Sequence, residues 1–449
     1  MNKNEIHKLE ITSVTAEGAG VGKLNGMAVF VPKTAPGDII NCKIVKNKKT
    51  YAFGIVDSVI NPSENRMESD CEVFGKCGGC VYRHINYNFE ATLKAERVKE
   101  TISRIGGYTD FNFDEYIKAN KRNEYRNKAQ IPLGTDKDGK LIMGFYGKHS
   151  HRIVDTLSCP LQPAIFNKAM GIFRNWHNKT NEEIYNSISH KGNLRHLYLR
   201  YATSTDELMV CLVSKTKHIK DINLLVDMLK DEIKSFKTLI ININNDKTNV
   251  ILGEKCINIY GEGFITDTLC GLDFRISPLS FYQVNHAQAE KLYLEAKKLA
   301  DLNEGETLID LYCGTGTIGL CLTDNSHNLI GIEIVPQAVE DAKKNAILNG
   351  RDKFNFICAD ASEGAKLIKD KNPKAVVVDP PRKGLDPELI KTIAKINPQK
   401  IVYISCDVAT LARDLKLFKE ENYELKVAKG VDLFPATAHT EAICLLEKC

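Results

Sequence analysis

Cysteine 406 closes the stretch Ile401-Val402-Tyr403-Ile404-Ser405-Cys406-Asp407. The apolar, β-branched run reads as a buried strand, and Thr410-Leu411-Ala412-Arg413-Asp414 after it reads as a helix start. At the carboxyl end of a strand in an open α/β sheet, a side chain reaches the crevice where such folds take ligands. A thiolate there is a nucleophile. The alternative is an inert core thiol, since free cysteine is among the most buried residue types. Gly314-Thr315-Gly316-Thr317-Ile318-Gly319 adds a second chemical element. It is G-x-G-x-x-G between a strand and a helix, and Gly314 and Gly316 let the backbone approach a ligand closely. Glu333 ends the next strand, where its carboxylate can hold two ribose hydroxyls. That pair fits NAD and S-adenosylmethionine alike.

Asp379-Pro380-Pro381-Arg382 ends the strand Val376-Val377-Val378 beside the expected cofactor site. An acid followed by Pro-Pro resembles the loop that nucleobase methyltransferases use over their target; a rigid turn is the plainer alternative. Cys71, Cys77 and Cys80 stand as C-x5-C-G-G-C, with Cys159 the nearest candidate for a fourth ligand. Four thiolates suit zinc or an iron–sulfur cluster, and spacing alone does not choose. The segment 118–128 sets five basic residues around Tyr125 with one acid, Glu124. Such interleaving suits a phosphate backbone and a stacked base, or simply a solvated loop.

These residues need elements to position them. The chain has 449 residues, 43% hydrophobic and 26% charged, which fits a globular protein of several domains. The net charge of +4 permits nucleic-acid binding without arguing for it. The start is polar and no apolar run approaches the ~20 residues of a membrane span, so a cytoplasmic protein without membrane association is expected. In a reducing compartment its 14 cysteines are read as metal, catalytic or core residues rather than disulfides. Residues 5–58 alternate short β-rich segments with turns, as in a five-stranded oligonucleotide-binding barrel. Gly18-Ala19-Gly20-Val21-Gly22 reads as a hairpin turn, and the four lysines of 43–49 lie beside a strand. A helix is expected over 87–106 and an α+β region from 130 to 276, with Trp176 in its core and His177 at its surface. Strands there are expected at 195–202, 207–214, 239–243 and 250–257, with a helix over 221–235. From 287 onward strands and helices alternate, which implies a mostly parallel, doubly wound sheet.

The segment 1–60 resembles a TRAM domain, an RNA-binding module. The whole chain resembles the RNA (uracil-5-)-methyltransferase family, most of all its TRAM-containing, cluster-binding members that modify bacterial 23S rRNA. The residues that carry the resemblance are C-x5-C-G-G-C with Cys159, Phe281-Tyr282-Gln283-Val284-Asn285, Asp310-Leu311-Tyr312-Cys313-Gly314-Thr315-Gly316, Asp379-Pro380-Pro381-Arg382, Ser405-Cys406 and Phe434-Pro435-x3-His439-x-Glu441. It implies a multidomain α/β chain: an OB-like barrel over 1–60, a central α+β domain with an iron–sulfur site over 61–275, and a Rossmann-like methyltransferase domain over 276–449. It implies Cys406 as nucleophile and Glu441 as base. It implies Gln283, Tyr312, Glu333 and Asp379 around S-adenosylmethionine, with Gly314 and Gly316 in the turn. It also implies a [4Fe–4S] cluster on Cys71, Cys77, Cys80 and Cys159, and RNA, not DNA, as partner. Where the family usually has Asn-Pro after the nucleophile, this chain has Asp407-Val408, and Asp407 would raise the thiol pKa if it pointed inward. Ala436 and Ala438 stand where bulkier residues are common. The other readings are an RNA-binding ribosome assembly factor, the same chemistry on tRNA, and an NAD-dependent oxidoreductase.

Overall fold

The computed structural model describes residues 2–113, 115–368 and 372–449. Two compact units emerge: Met1–Arg97 with Phe145–Thr156 and Phe434–His439, and Val98–Gly144 with Leu157–Leu433 and Thr440–Cys449.

The first unit holds a closed barrel in the order Ile6–Val14, Gly20–Leu24, Met27–Val31, Tyr51–Asn61, Ile39–Asn47. Alternation along the strands turns Leu9, Ile11, Val29, Val31, Ile40, Cys42, Ile44 and Ala52 inward. The expected glycine-rich turn is shorter than its sequence suggests, because Gly20 and Gly22 are strand residues. A β-carbon at Gly20 would sit 2.0 Å from Thr34 Oγ1, and one at Gly22 would sit 2.4 Å from the Glu10 carbonyl. Small residues there let strands close the barrel. Asp38 is buried at the mouth and accepts from the backbone N–H of Ala35 (2.7 Å) and Ser63 (2.9 Å) and from Arg66 Nε (3.0 Å). The helix Tyr87–Gly106 matches its expected bounds. Ala436 is buried at φ 67°, its N–H donating to Glu90 (2.6 Å) and its carbonyl accepting from Val81 and Tyr82 N–H.

The second unit has two principal sheets. One runs Lys255–Tyr260, Phe236–Ile243, Glu207–Ser214, Leu194–Ala202, Lys128–Thr135, Leu141–Tyr146. The helix Ala164–Thr180 brings Trp176 into the core as expected; His177 is buried too, with Nε2 3.0 Å from the Glu182 carbonyl. The strand expected at 250–257 starts later, at Lys255–Tyr260, because Asn244 Nδ2 binds the carbonyls of Val250 and Ile251 and draws them into a loop.

The other sheet runs Asn355–Cys358, Asn328–Glu333, Thr307–Leu311, Ala375–Val378, Lys400–Ser405, Glu441–Lys448, Tyr423–Val431, Tyr116–Ile117. The first five strands are parallel, and the sixth runs antiparallel to the fifth. Val376, Val377, Val378, Ile401, Val402, Tyr403 and Ile404 are all fully buried. A sheet covered on both faces requires such unbroken apolar runs. Strand order reverses between Thr307–Leu311 and Ala375–Val378, so the crevice at their carboxyl ends is the place for a ligand. Among the described residues no helix is long and apolar enough to cross a membrane.

Burial opposes the Asp38 charge, but Arg66 and two backbone N–H groups overcome it and hold the carboxyl below its usual range. A depressed carboxyl stabilises the fold above its unfolded pKa of ~4, and that stabilisation is lost as pH falls through the folded value. Hydrogen-exchange protection of barrel amides is expected to drop from about pH 5 to about pH 3. In Asp38→Asn the barrel should be weaker at neutral pH and the acid dependence shallower.

Candidate active site

Four strand ends in the second unit deliver the candidate groups. Thr307–Leu311 runs into Tyr312, Cys313 and Gly314; Asn328–Glu333 ends on Glu333; Ala375–Val378 leads to Asp379; Lys400–Ser405 leads to Cys406. The fifth group arrives from the opposite direction. In the antiparallel pair Ser405 faces Ala442, so Glu441, which precedes Ala442, lies across from Cys406.

The turn after Thr307–Leu311 is shaped by positive φ at Tyr312 (66°), Gly314 (55°) and Gly316 (80°). Tyr312 is the costly member, since a bulky side chain seldom adopts that region away from a functional site. A β-carbon at Gly314 would meet nothing within 4 Å, so the backbone there borders open space. At Gly316 it would press on Ala342 and Phe356 at 3.2 Å. The Glu333 carboxylate accepts from Gly314 N–H (3.1 Å) and Val335 N–H (2.9 Å), which locks turn and strand end together. Asp310, buried below, accepts from Gly319 N–H at 2.8 Å, while its other oxygen has no partner among the described residues. Gln283 is buried on a segment fixed by Asn127, whose Nδ2 donates to the Gln283 carbonyl (3.0 Å) and whose N–H donates to Val284 (2.8 Å).

The Asp379-Pro380-Pro381-Arg382 loop has an anchor that sequence reasoning missed. Buried Asp414 accepts from Leu385 N–H (2.7 Å), the Tyr403 hydroxyl (2.7 Å) and Arg413 Nε (2.8 Å). Arg413 also donates to the carbonyls of Lys383 (3.0 Å) and Leu385 (3.2 Å), and Thr410 Oγ1 to that of Arg382 (3.1 Å). Gly384 turns at φ 74° directly over this carboxylate, where a β-carbon would sit 2.5 Å from Asp414 Oδ2. The available signal was an acid on the apolar stripe of Leu411, Ala412, Leu415 and Phe418.

Asp407 does not point at the nucleophile. Its Oδ1 accepts from the N–H of Ala409 and Thr410, both at 3.0 Å, and caps the helix Val408–Glu420. The Cys406 thiol is nonetheless pushed up to about 11, first by burial, then by Glu441 and Asp379, with Arg382 working the other way. A thiolate nucleophile calls for surroundings that favour the charged form; these, by themselves, favour the thiol. Glu441 is buried, its Oε2 has no partner among the described residues, and burial with the Asp379 charge drives its carboxyl well above the usual range. Burial alone raises Asp379 to about 7, and burial with its acidic neighbours raises Asp310 to about 8. Cys313 is buried and its thiol is pushed far up, so it competes poorly as a nucleophile.

Residues 111–449 match the family model described as tRNA (Uracil-5-)-methyltransferase. The chain belongs to this family. Residues 3–56 match the TRAM domain. Among similar family proteins is an uncharacterized RNA methyltransferase of Halalkalibacterium halodurans, 40% identical over 100% of this chain and 98% of that protein. Another, of Clostridium tetani, is 40% identical over 99% of this chain and 97% of its own length. The crystal structure of Pyrococcus abyssi tRNA (uracil-54, C5)-methyltransferase in complex with S-adenosyl-L-homocysteine is 29% identical, with a TM-score of 0.79, covering 98% of this chain and 99% of that one. Family membership thus agrees with the barrel, the doubly wound sheet and an RNA methyltransferase activity.

One expectation is not shown and another is corrected. Among the described residues no three His, Cys, Asp or Glu side chains are placed to hold a metal ion. Gly79 N–H donates to Cys77 Sγ at 3.4 Å, and Cys80 lies against Arg83. An iron–sulfur site in the central region is therefore not shown among the described residues. Tyr125 is buried rather than presented to a base, and its neighbour Lys128 is pushed down to about 8, first by burial, then by Arg200 and Arg126.

Alkylation of Cys406, read by peptide mass mapping, is expected to rise about tenfold per pH unit from about pH 7 to about pH 10. Arg382→Ala should slow it at every pH, because a stabilising positive charge is lost. A plateau below about pH 8 would contradict this electrostatic picture.

Proposed function

We propose that the protein transfers a methyl group from S-adenosylmethionine to C5 of a uridine in 23S rRNA, through a covalent bond between Cys406 and C6 of the base. The register that sets Glu441 across from Cys406 is the observation that carries the reading. Uracil C5 is a weak nucleophile, and thiolate addition at C6 makes it enolate-like. C5 then takes the methyl group and the donor leaves as the neutral thioether S-adenosylhomocysteine; a base removes the C5 proton, the C5=C6 double bond reforms, and the C6–S bond breaks to release the Cys406 thiolate.

Cys406 forms and breaks the bond to C6. Arg382, the cation beside it, favours the thiolate during attack. Glu441 takes the C5 proton; a carboxyl held above its usual range is a stronger base than an exposed one. Glu333, Asp379 and Gln283, with the open space beside Gly314, form the cradle for the donor, which supplies a methyl on a positively charged sulfonium. Asp379 and Glu333 both raise the proton affinity of Asp310, so their negative charges are felt within the cradle. Such a set of carboxyls suits a cation and would repel the pyrophosphate of a dinucleotide, which weighs against the NAD reading. The uridine must leave its stack, at a cost of ~a few kcal/mol and less in a loop. Paired with intact reactive groups, this arrangement also weighs against a purely assembling role.

tRNA is the second reading. The barrel and the cysteine spacing motivate rRNA, but the likeness to the Pyrococcus abyssi tRNA enzyme spans 99% of that chain. Mapping 5-methyluridine in total RNA after gene deletion is expected to show its loss from 23S rRNA in a cytoplasmic pool. Loss from tRNA alone would transfer the assignment. The proposed [4Fe–4S] cluster rests on the spacing of Cys71, Cys77, Cys80 and Cys159 and has no step in the reaction. Anaerobically purified protein is expected to be brown with about four irons; colourless, iron-free protein would remove the cluster.

Cys406→Ala and Glu441→Gln should fail in opposite ways. The first should lose methylation by at least about 1000-fold and form no adduct. The second should lose turnover by about 100- to 10,000-fold while accumulating a denaturation-resistant complex with methylated RNA. A denaturing gel with labelled RNA and labelled methyl donor reads both. Adduct formation by Cys406→Ala, or normal turnover by Glu441→Gln, would contradict the assigned roles.

A further inference from the structure

The barrel carries an aromatic face that the proposed reaction does not use. Met27–Val31 and Tyr51–Asn61 pair in parallel, with Phe30 opposite Phe53 and Ala28 opposite Tyr51. Val29, Val31 and Ala52 turn into the barrel core, so Phe30, Tyr51 and Phe53 turn outward. Their rings form a closed trio, with centroids 5.7 Å apart for Phe30–Tyr51, 5.8 Å for Phe30–Phe53 and 5.5 Å for Tyr51–Phe53. Phe53 is 38% exposed and Ile55, next on the same face, is 47% exposed. Large apolar side chains clustered on an outer wall mark an interaction surface.

The next strand supplies charge. Lys46 lies opposite Phe53 and Lys43 opposite Ile55. Lys48 and Lys49 lead the chain into Tyr51, with Lys48 N–H bonded to the Tyr51 carbonyl at 2.9 Å. From 43 to 57 Asp57 is the single acid against four lysines. Across the other edge of Ile39–Asn47, Glu5 adds a second acid, but its carboxylate is engaged by Asn2 at 2.6 and 2.7 Å.

We propose that Phe30, Tyr51 and Phe53 form a stacking platform for unpaired RNA nucleotides outside the methylated one, with Lys43, Lys46, Lys48 and Lys49 taking their phosphates. The proposal rests on the reading of an RNA substrate and adds which part of it the barrel holds. Every base has a π-face, so stacking on such rings tolerates sequence but demands bases free of a helix. A duplex hides those faces. A protein partner fits less well, because lysine is depleted in the cores of protein interfaces.

The test uses the full chain without methyl donor, with fluorescein-labelled decauridylate and a ten-base-pair RNA duplex as probes. Phe53→Ala and Tyr51→Ala are each expected to weaken decauridylate binding about tenfold and leave the salt dependence unchanged. Lys46→Ala and Lys48→Ala should each reduce the salt slope by about 0.7. Phe53→Trp should restore affinity and show emission quenched by the oligonucleotide, since the chain's own Trp176 is buried. The duplex should bind more weakly than the single strand. Unchanged affinity in the alanine variants would overturn the platform. So would equal binding of duplex and single strand, or a change of oligomeric state in Phe53→Ala without loss of RNA affinity. Methylation of uridine C5 is scored separately. If it fails while the aromatic dependence holds, the reaction is wrong and the platform stands; the reverse result removes the platform alone.

Discussion

The antiparallel pairing of Glu441–Lys448 with Lys400–Ser405 decides whether the proposed chemistry has both its groups in one place. Parallel strands alone would bring Glu333, Asp379 and Cys406 to one edge of the sheet, because each strand ends there. A base on the next strand requires that strand to start where the others finish, which only the reversed direction provides. Register matters as much as direction. The pairing of Ser405 with Ala442 sets Glu441 at the level of Cys406, and a slip of one residue would turn it to the other face. The buried Ile401–Ile404 run on one side and the buried Ile443 and Cys444 on the other make such a slip expensive.

What that edge assembles is a set of groups that raise one another's proton affinity. Burial, Glu441 and Asp379 all oppose a Cys406 thiolate, and burial with Asp379 opposes a Glu441 carboxylate. Arg382, the countercharge acting on both, is exposed on the loop that Asp414 and Arg413 hold down. In the proposed reaction the Cys406 thiol is thereby kept from indiscriminate attack, and a cation or a bound substrate must shift the balance before it adds. Loop anchoring and the proposed activation of Cys406 are therefore one problem in this fold: Asp414 sits in the helix that follows Cys406 and grips the turn that follows Arg382.

The parts of this site legible in the sequence are those encoded locally. A glycine-rich turn between strand and helix, an Asp-Pro-Pro-Arg strand end and a thiol after an apolar run each occupy consecutive residues, and the structure brings Gly314, Glu333, Asp379 and Cys406 to one sheet edge. Glu441 had no local signature, since its role depends on a register set by non-local pairing, and only family resemblance singled it out. Asp407 looked like a threat because charge was weighed and capping was not; an acid just before a helix satisfies backbone N–H groups first. Tyr125 among basic residues suggested a stacking surface, but its ring is buried in the fold, and sequence proximity does not report which way a ring faces. The barrel was legible as an alternation of short strands, whereas its strand Gly20–Leu24 hid behind glycines that close packing requires.

The central claim is that methyl transfer and loss of the C5 proton occur at the same uridine. RNA bearing tritium at C5 of uridine tests it directly, by counting tritium released to water against methyl groups gained. The account predicts equal amounts, with both lost in Cys406→Ala. Methylation without tritium release would place the methyl group on another atom and contradict the account.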